Sequence, residues 1–321
     1  MRAVICPAYG PPEVVRVEEA SSPDLADGQV RVQVAAAAVN FPDVLLVAGK
    51  YQVTVPPPFI PGSEFAGVIT ETSCDDANFA VGGRVTGTGM VGAFAEQVCI
   101  GGGALAPIPE GVDYRTAAAS GVAFRTAYHA LRSTARVAAG DDIVVLGAGG
   151  GVGLAAVALA TALGARVIAV ASSAEKLSAA AAYGAVHGIA HRGADLRQAL
   201  RESLPGGAAA VIDPVGGDLS EPALRSLRRG GRFVTVGFAS GSIPRIPLNL
   251  VLVKGIQVLG FQFQDIPAGE FTRNESELRR LLATGTVAPH IGATYPLADT
   301  AAALRHVADG RAIGKVIIDV G

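Results

Sequence analysis

Apolar positions recur along this chain with two different periods, and the change from one to the other divides it. Val14-Val15-Arg16-Val17-Glu18 and Gln29-Val30-Arg31-Val32-Gln33-Val34 alternate apolar and polar side chains, the period of a half-buried strand. A Pro/Asp/Gly turn region separates the two, and residues 65–72 and 84–87 read as further strands. Pro56-Pro57-Pro58 and Pro61-Gly62 cannot lie in a regular element and mark a loop. The first 120 or so residues thus predict a small β-rich domain. Near residue 115 the spacing turns helical, at 115–119 and again at 126–131. Strands and helices then alternate to about residue 262, with strands at 209–212, 232–236 and 257–260. That alternation predicts a parallel sheet with right-handed crossovers. The tail predicts a charged helix over 272–282, another near 299–309 and a strand from Lys315.

One stretch organises the middle of the chain. The β-branched run Ile143-Val144-Val145-Leu146 leads into Gly147-Ala148-Gly149-Gly150-Gly151-Val152-Gly153, and an apolar helix-spaced run follows to Leu163, closed by Gly164. A second strand, 165–171, arrives one helix later. Strand, tight turn and helix open a dinucleotide-binding unit, here as Ala148-x-Gly150-x-x-Gly153 with alanine in place of the first glycine of GxGxxG. A pyrophosphate needs main-chain N–H donors at close range and a helix N-terminus behind them, which makes Gly150, Gly151 and Val152 cofactor-binding candidates. A glycine run alone also suits a flexible loop; the flanking strand and helix weigh against it.

The end of the second strand bears on which cofactor binds. An NAD site places an acid there, whereas this chain has Ala171-Ser172-Ser173. Glu175 lies at about the expected distance, but Ser172-x-x-Glu175 reads as a capping box that turns it back to the helix start. Ser172, Lys176, His191 and Arg192 could surround a 2′-phosphate, or form a solvated polar rim. Val215 and the loop Gly237-Phe238-Ala239-Ser240-Gly241 follow strand carboxyl ends, where a doubly wound sheet binds its ligand. Phe261 and Phe263 flank the last strand: core packing explains one, and a cofactor contact or dimer edge the other.

Composition narrows the classes. With 321 residues, 50% hydrophobic and 17% charged, the chain suits about two ordered domains. A net charge of −2 and the lack of any basic run argue against nucleic acid. Cys6, Cys74 and Cys99 stand far apart, which fits a reducing cytoplasm. The longest apolar tract, 154–171, is broken by Gly164 and Arg166, so no membrane span is expected, and the first five residues are too short for a signal peptide.

Seven motifs in order carry a family resemblance: Val39-Asn40-Phe41-Pro42-Asp43, Gly49-Lys50-Tyr51, Pro61-Gly62-Ser63-Glu64-Phe65-Ala66-Gly67-Val68, Thr126-Ala127-Tyr128, Gly149-Gly150-Gly151-Val152-Gly153, Asp213-Pro214-Val215-Gly216-Gly217 and Gly314-Lys315-Val316. Over essentially its whole length the chain resembles the zinc-independent quinone oxidoreductase branch of the medium-chain dehydrogenases/reductases. The resemblance implies an α/β fold, with a GroES-like catalytic domain (1–121 and 264–321) and a Rossmann domain (122–263), NADPH as cofactor and a homodimer. Against the zinc alcohol dehydrogenases of the superfamily, the ligand positions match Asn40, Ser63 and Val122, a set ill-suited to zinc, so no metal is expected. Asn40 and Tyr51 are implied close to the nicotinamide. The Tyr51 hydroxyl could donate to an acceptor oxygen, while Asn40 could simply fix a turn, and Asp43 is either catalytic or a helix cap. Thr126 is implied to line the nicotinamide pocket, though a helix-interior threonine is equally ordinary, and Lys315 resembles a position that reaches the cofactor. The implied activity is NADPH-dependent hydride transfer to a quinone. Reduction of activated alkenes, or a non-catalytic NADPH-binding role, are the alternatives.

Overall fold

The valines that alternate near residue 30 open the longest strand of the computed structural model, which describes residues 1–321. Before residue 123 the chain forms strands β1 (Arg2–Ile5), β2 (Arg16–Glu19) and β3 (Gln29–Val39), helix α1 (Phe41–Val47), then β4 (Glu64–Thr72), β5 (Arg84–Thr88), β6 (Gln97–Gly101), β7 (Leu105–Pro107) and helix α2 (Tyr114–Ser120). The middle alternates: α3 (Ala123–His129), β8 (Asp142–Leu146), α4 (Gly151–Ala162), β9 (Arg166–Ala171), α5 (Ala174–Ala182), β10 (His187–Ala190), α6 (Leu196–Ser203), β11 (Ala208–Asp213), α7 (Ser220–Arg225), β12 (Leu227–Thr235), α8 (Leu248–Lys254), β13 (Gln257–Gly260) and α9 (Ala268–Ala283). The tail adds β14 (Ile291–Pro296), α10 (Thr300–Ala308) and β15 (Lys315–Asp319).

These elements make two compact units, Met1–Val122 with Pro289–Gly321, and Ala123–Ala288. In the first, seven strands form one sheet in the order β14-β15-β3-β4-β5-β7, with β6 also on β3. β3 is long enough to serve two partners on one edge, β6 along residues 29–33 and β15 along 36–39. Val30, Val32 and Val34 enter the core alternately. From Ala36 onward both faces are buried, and the small alanines let α2 pack Ala117, Ala118 and Ala119 close against Ala36, Ala38 and Ala66.

The second unit is a sheet of six parallel strands in the order β10-β9-β8-β11-β12-β13. Its central strands are apolar on both faces because helices cover both, α3, α4 and α9 on one core and α6 and α7 on the other. Strand order reverses between β8 and β11, which puts a binding crevice at the carboxyl ends there. The chain returns to the first unit at Pro289, not at 264 as expected. The reason is α9, whose Leu278 and Leu281 join the core of the second unit with Val287. No helix is long and apolar enough to cross a membrane.

Candidate active site

β8 ends at Leu146, and Gly147 turns the backbone at φ +61°. A side chain at Gly147 would strike Val215, and one at Gly153 would lie 2.1 Å from the Gly147 carbonyl oxygen. Gly153 therefore lets α4 come against the turn, the task of the last glycine in such motifs. Ala148 takes the first glycine's place without strain: its φ is negative, its side chain is buried, and its N–H donates to the Val170 carbonyl at 3.0 Å. Gly150 is the N-cap of α4, with Gly151 and Val152 in its first turn. The Gly150 N–H donates to the Gly147 carbonyl at 2.9 Å, while those of Gly151 and Val152 have no helical acceptor and stand with the positive end of a twelve-residue helix at the carboxyl edge of the sheet.

Ser173 rather than Ser172 caps α5. It accepts the Lys176 N–H at 3.4 Å, and the same hydroxyl holds the Glu175 carboxyl below the usual carboxylate range. The cap expected at Ser172 thus forms one residue later, and Ser172 is left half-buried at the end of β9. Lys176 lays its stem over the glycine turn, for a Cβ on Gly149 would meet Lys176 Cβ at 2.4 Å. The His191 N–H donates to the Ala171 carbonyl at 3.1 Å, which brings the end of β10 beside the end of β9. Burial and then the charge of Arg192 lower the Lys176 pKa; burial, Arg192 and Lys176 lower that of His191. Three bases share this edge.

On the other side of the crevice, Asp213 is buried at the end of β11. It accepts the N–H groups of Val215 and Gly216 at 2.8 Å each and the Ser220 hydroxyl at 2.6 Å. That carboxylate shapes the turn laying Val215 against Gly147. The loop after β12 is stitched onto it: Gly237 N–H to Asp213 O at 3.3 Å, Ala239 N–H to Pro214 O at 3.1 Å and Ser240 N–H to Val215 O at 2.9 Å. Phe238 is left exposed. The structure therefore gathers Gly150, Gly151, Val152, Ser172, Lys176, His191, Val215, Gly237, Phe238 and Ala239 at the carboxyl end of one sheet. Thr126 is buried on α3. Phe261 is the core residue of its pair and Phe263 the exposed one, their rings 5.0 Å apart. Phe263 joins a cluster between α3 and α9 that sequence reasoning missed: His129 Nε2 lies 2.9 Å from Glu275 Oε1, Arg125 Nε donates to the same oxygen at 3.0 Å, and the His129 ring stacks on Phe271.

In the first unit, register decides the site. β4 and β15 both run antiparallel to β3, with Glu64 opposite Ala38 and Val316 opposite Val39. The heads of two apolar strands, Glu64 and Lys315, thereby arrive beside Asn40. The Asn40 N–H donates to Asp43 Oδ2 at 2.7 Å, and its Nδ2 donates to Glu64 Oε1 at 3.0 Å and Ser63 Oγ at 3.2 Å. Its Oδ1 accepts from Lys315 Nζ at 2.6 Å. Lys315, 3% exposed, is also ion-paired with Glu64 and donates to the Val39 carbonyl at 3.4 Å. Expected at the cofactor, its ammonium is instead wholly engaged within the first unit, because β15 begins beside a buried carboxylate.

Glu64 Oε2 accepts the Val122 N–H at 2.6 Å. Of the three positions matched to zinc ligands, Asn40 and Val122 bond to a carboxylate already paired with an ammonium, and Ser63 accepts from Asn40. What they present is an amide, a hydroxyl and a main-chain N–H, which do not fit zinc. No group of three or more His, Cys, Asp and Glu is arranged to hold a metal ion. Asp43 is fully buried in the capping role; burial pushes its carboxyl up to about 7 against the pull of the Asn40 N–H, the Ser63 hydroxyl and the Lys315 ammonium. Tyr51 makes no hydrogen bond to this cluster; it is half-buried in the loop after α1 and packed on the core of the first unit.

Comparison with known proteins agrees with both units. Residues 26–110 match the family model of the alcohol dehydrogenase GroES-like domain, and residues 151–282 that of the zinc-binding dehydrogenase. Quinone oxidoreductase-like protein 2 of Bos taurus is 36% identical over 326 residues, spanning 99% of this chain and 92% of that protein. The chain belongs to the quinone oxidoreductase family of medium-chain dehydrogenases/reductases. The quinone oxidoreductase of Homo sapiens is 31% identical over 99% of this family member and 97% of its own length. The structure of Escherichia coli quinone oxidoreductase complexed with NADPH superposes with a TM-score of 0.91 at 28% identity, covering 100% of both chains. This quinone oxidoreductase family member thus pairs a GroES-like unit with a Rossmann unit. Glu64 was within reach of sequence reasoning: a carboxylate leading an apolar strand needs a buried cation, and Lys315 leads another.

Proposed function

We propose that this oxidoreductase reduces quinones with NADPH and without a metal. The observation that carries the reading is the edge of the Rossmann unit, where Lys176, His191 and Arg192 adjoin the glycine turn and no acid ends β9. A 2′-phosphate is a dianion that such bases bind through charge-assisted hydrogen bonds, with Ser172 beside them. The Gly151 and Val152 N–H groups and the α4 N-terminus suit the pyrophosphate. Val215, Gly237, Phe238, Ala239 and Thr126 would flank the nicotinamide, and when bound that group supplies a hydride. The E. coli relative's NADPH supports the choice of cofactor. The donor set around Asn40 and Ser63 supports metal-free chemistry. Without a Lewis acid to hold an alkoxide, the suitable acceptor is one whose own conjugation spreads the arriving charge.

The test is oxidation of NADPH, and of NADH in parallel, against quinones and enones with product identification and elemental analysis for zinc. Quinone turnover, at least about tenfold preference for NADPH (about 1.4 kcal/mol) and far less than one zinc per chain are expected. Reduction of enones alone would reassign the acceptor, and near-stoichiometric zinc would overturn the metal-free reading. We also infer a homodimer, supported by an apolar face at the open edge of the sheet, where α8 exposes Leu248 and Leu252 and β13 exposes Val258.

A further inference from the structure

A separate cavity lies wholly within the Rossmann unit. It encloses about 580 Å³, the size of a small-molecule site, between the first turn of α6, the head of α7 and the loop from β12 to α8. None of its lining residues belongs to the cofactor edge. Two consecutive glycines shape it. Gly216 and Gly217 hold φ of +70° and +61°, and side chains on them would stand 2.9 Å from the Ser242 carbonyl oxygen and 2.8 Å from Ser240 Oγ. Without side chains there, the loop closes on the turn, and the Gly217 N–H donates to the Ser242 carbonyl at 3.0 Å. The charges in the cavity do not close on one another. On α7, Arg225 is taken up by Glu221, whose Oε1 accepts from Nε at 2.9 Å and from Nη2 at 2.6 Å, leaving Oε2 open. Arg197 on α6 and Arg245 on the loop make no hydrogen bond or ion pair, and Asp218 pairs with neither. Pro222, Ile243 and Pro244 add an apolar wall on which Ile243 is 76% exposed.

We propose that this cavity binds an organic monophosphate, with its phosphate on Arg197 and Arg245, its hydroxyls on Asp218 and Glu221 Oε2, and its apolar face on Ile243 and Pro244. Each free guanidinium offers a planar fork of donors and no acceptor, which suits a phosphate and repels a metal ion. Inorganic phosphate alone would fill a fraction of the room and leave the apolar wall and Asp218 without contacts. A nucleic-acid backbone would bring further phosphates against Asp218 and Glu221. The ligand is therefore a small molecule that carries one anionic group on a hydroxylated, partly apolar body. Once bound, it ties α6 to the loop that also carries Phe238 and Ala239. The site is independent of which acceptor the enzyme reduces.

Titration calorimetry on the full chain, with and without saturating NADPH, tests the site. The probe is uridine 5′-monophosphate, which has no adenine for the cofactor edge to recognise. It should bind in both conditions, with uridine and inorganic phosphate each at least about tenfold weaker. Ribose 5-phosphate separates two sources of the ligand: affinity equal to the nucleotide's points to sugar phosphates, and weaker binding points to nucleotides. Arg197→Gln with Arg245→Gln should weaken the probe at least about tenfold while NADPH affinity stays within about twofold of wild type. Arg197→Lys with Arg245→Lys should keep part of the binding, since the charge persists and the fork does not. Asp218→Asn should weaken uridine 5′-monophosphate without weakening inorganic phosphate. Both arginines are exposed, so neither variant threatens the fold. The proposal is overturned if neither phosphate ester binds wild type, if uridine binds as tightly as its monophosphate, or if the double glutamine variant binds as wild type does. Loss of the probe when NADPH is added would also overturn it, because the cavity would then belong to the cofactor's own site.

Discussion

At the scale of single residues, Asp43 and Lys176 make opposite demands on their surroundings. An ordinary aspartate releases its proton near pH 4. Burial holds that of Asp43 until about 7, with Lys315 opposing the shift and Glu64 adding to it. Between those values the folded chain keeps a proton that the unfolded chain has lost, so this group's contribution to stability falls as pH rises through the window and levels off above it. Asp43→Asn has the same shape, still accepts the Asn40 N–H and never ionises. Its melting temperature relative to wild type should therefore be higher at about pH 8 than at about pH 5. A constant difference would mean that Asp43 ionises as an exposed carboxylate does. Lys176, half-buried over Gly149 beside His191 and Arg192, bears on the cofactor. Lys176→Ala should raise the KM for NADPH far more than that for NADH; equal effects would place Lys176 outside the phosphate pocket.

At the scale of elements, the β8–turn–α4 unit holds two glycines with different tasks. A Cβ at Gly153 would stand 2.1 Å from the Gly147 carbonyl oxygen, so Gly153→Ala must push α4 off the turn. A loss of about 1–3 kcal/mol, seen as a drop of several degrees in Tm, is expected together with weakened NADPH binding. Gly150 has φ −87°, and a Cβ there would meet only the Gly147 carbonyl oxygen at 3.5 Å. Gly150→Ala should melt like wild type yet bind NADPH more weakly, because its methyl enters space the pyrophosphate needs. Fluorescence titration beside thermal melting separates the two roles, and equal Tm losses would refute the distinction. The α9 helix shows the limit of pattern reading at this scale. Its helical period was legible from residue 272, but its unit was not. Leu278 and Leu281 belong to the core they happen to reach, and Glu275 is held by His129 and Arg125 far earlier in the chain.

At the scale of the whole molecule, the open edge of the parallel sheet is apolar and exposed. β13 has one neighbour, and beside it Leu252 is 83% exposed and Val258 43%. Unpaired strand edges and apolar patches of this kind invite a partner. On the proposed homodimer, wild type should sediment as a dimer and Leu248→Glu with Leu252→Glu as a monomer; a dimeric double variant would put the interface elsewhere, and a monomeric wild type would overturn the dimer. What the sequence by itself determined is local in origin. Period-two valines, the glycine turn between a β-branched run and an apolar helix, and the missing acid after Ala171 each express a short-range rule, so the two-unit architecture and most of the cofactor edge were legible. Only the tertiary structure decided what depends on register and sheet order. Glu64 and Lys315 are 251 residues apart, and they meet because β4 and β15 flank β3 and both begin at its end. A shift of one residue in either strand would turn those side chains to the other face. The amphipathic pattern specifies which face of a strand is buried, but which strand heads adjoin is set by the order of the sheet.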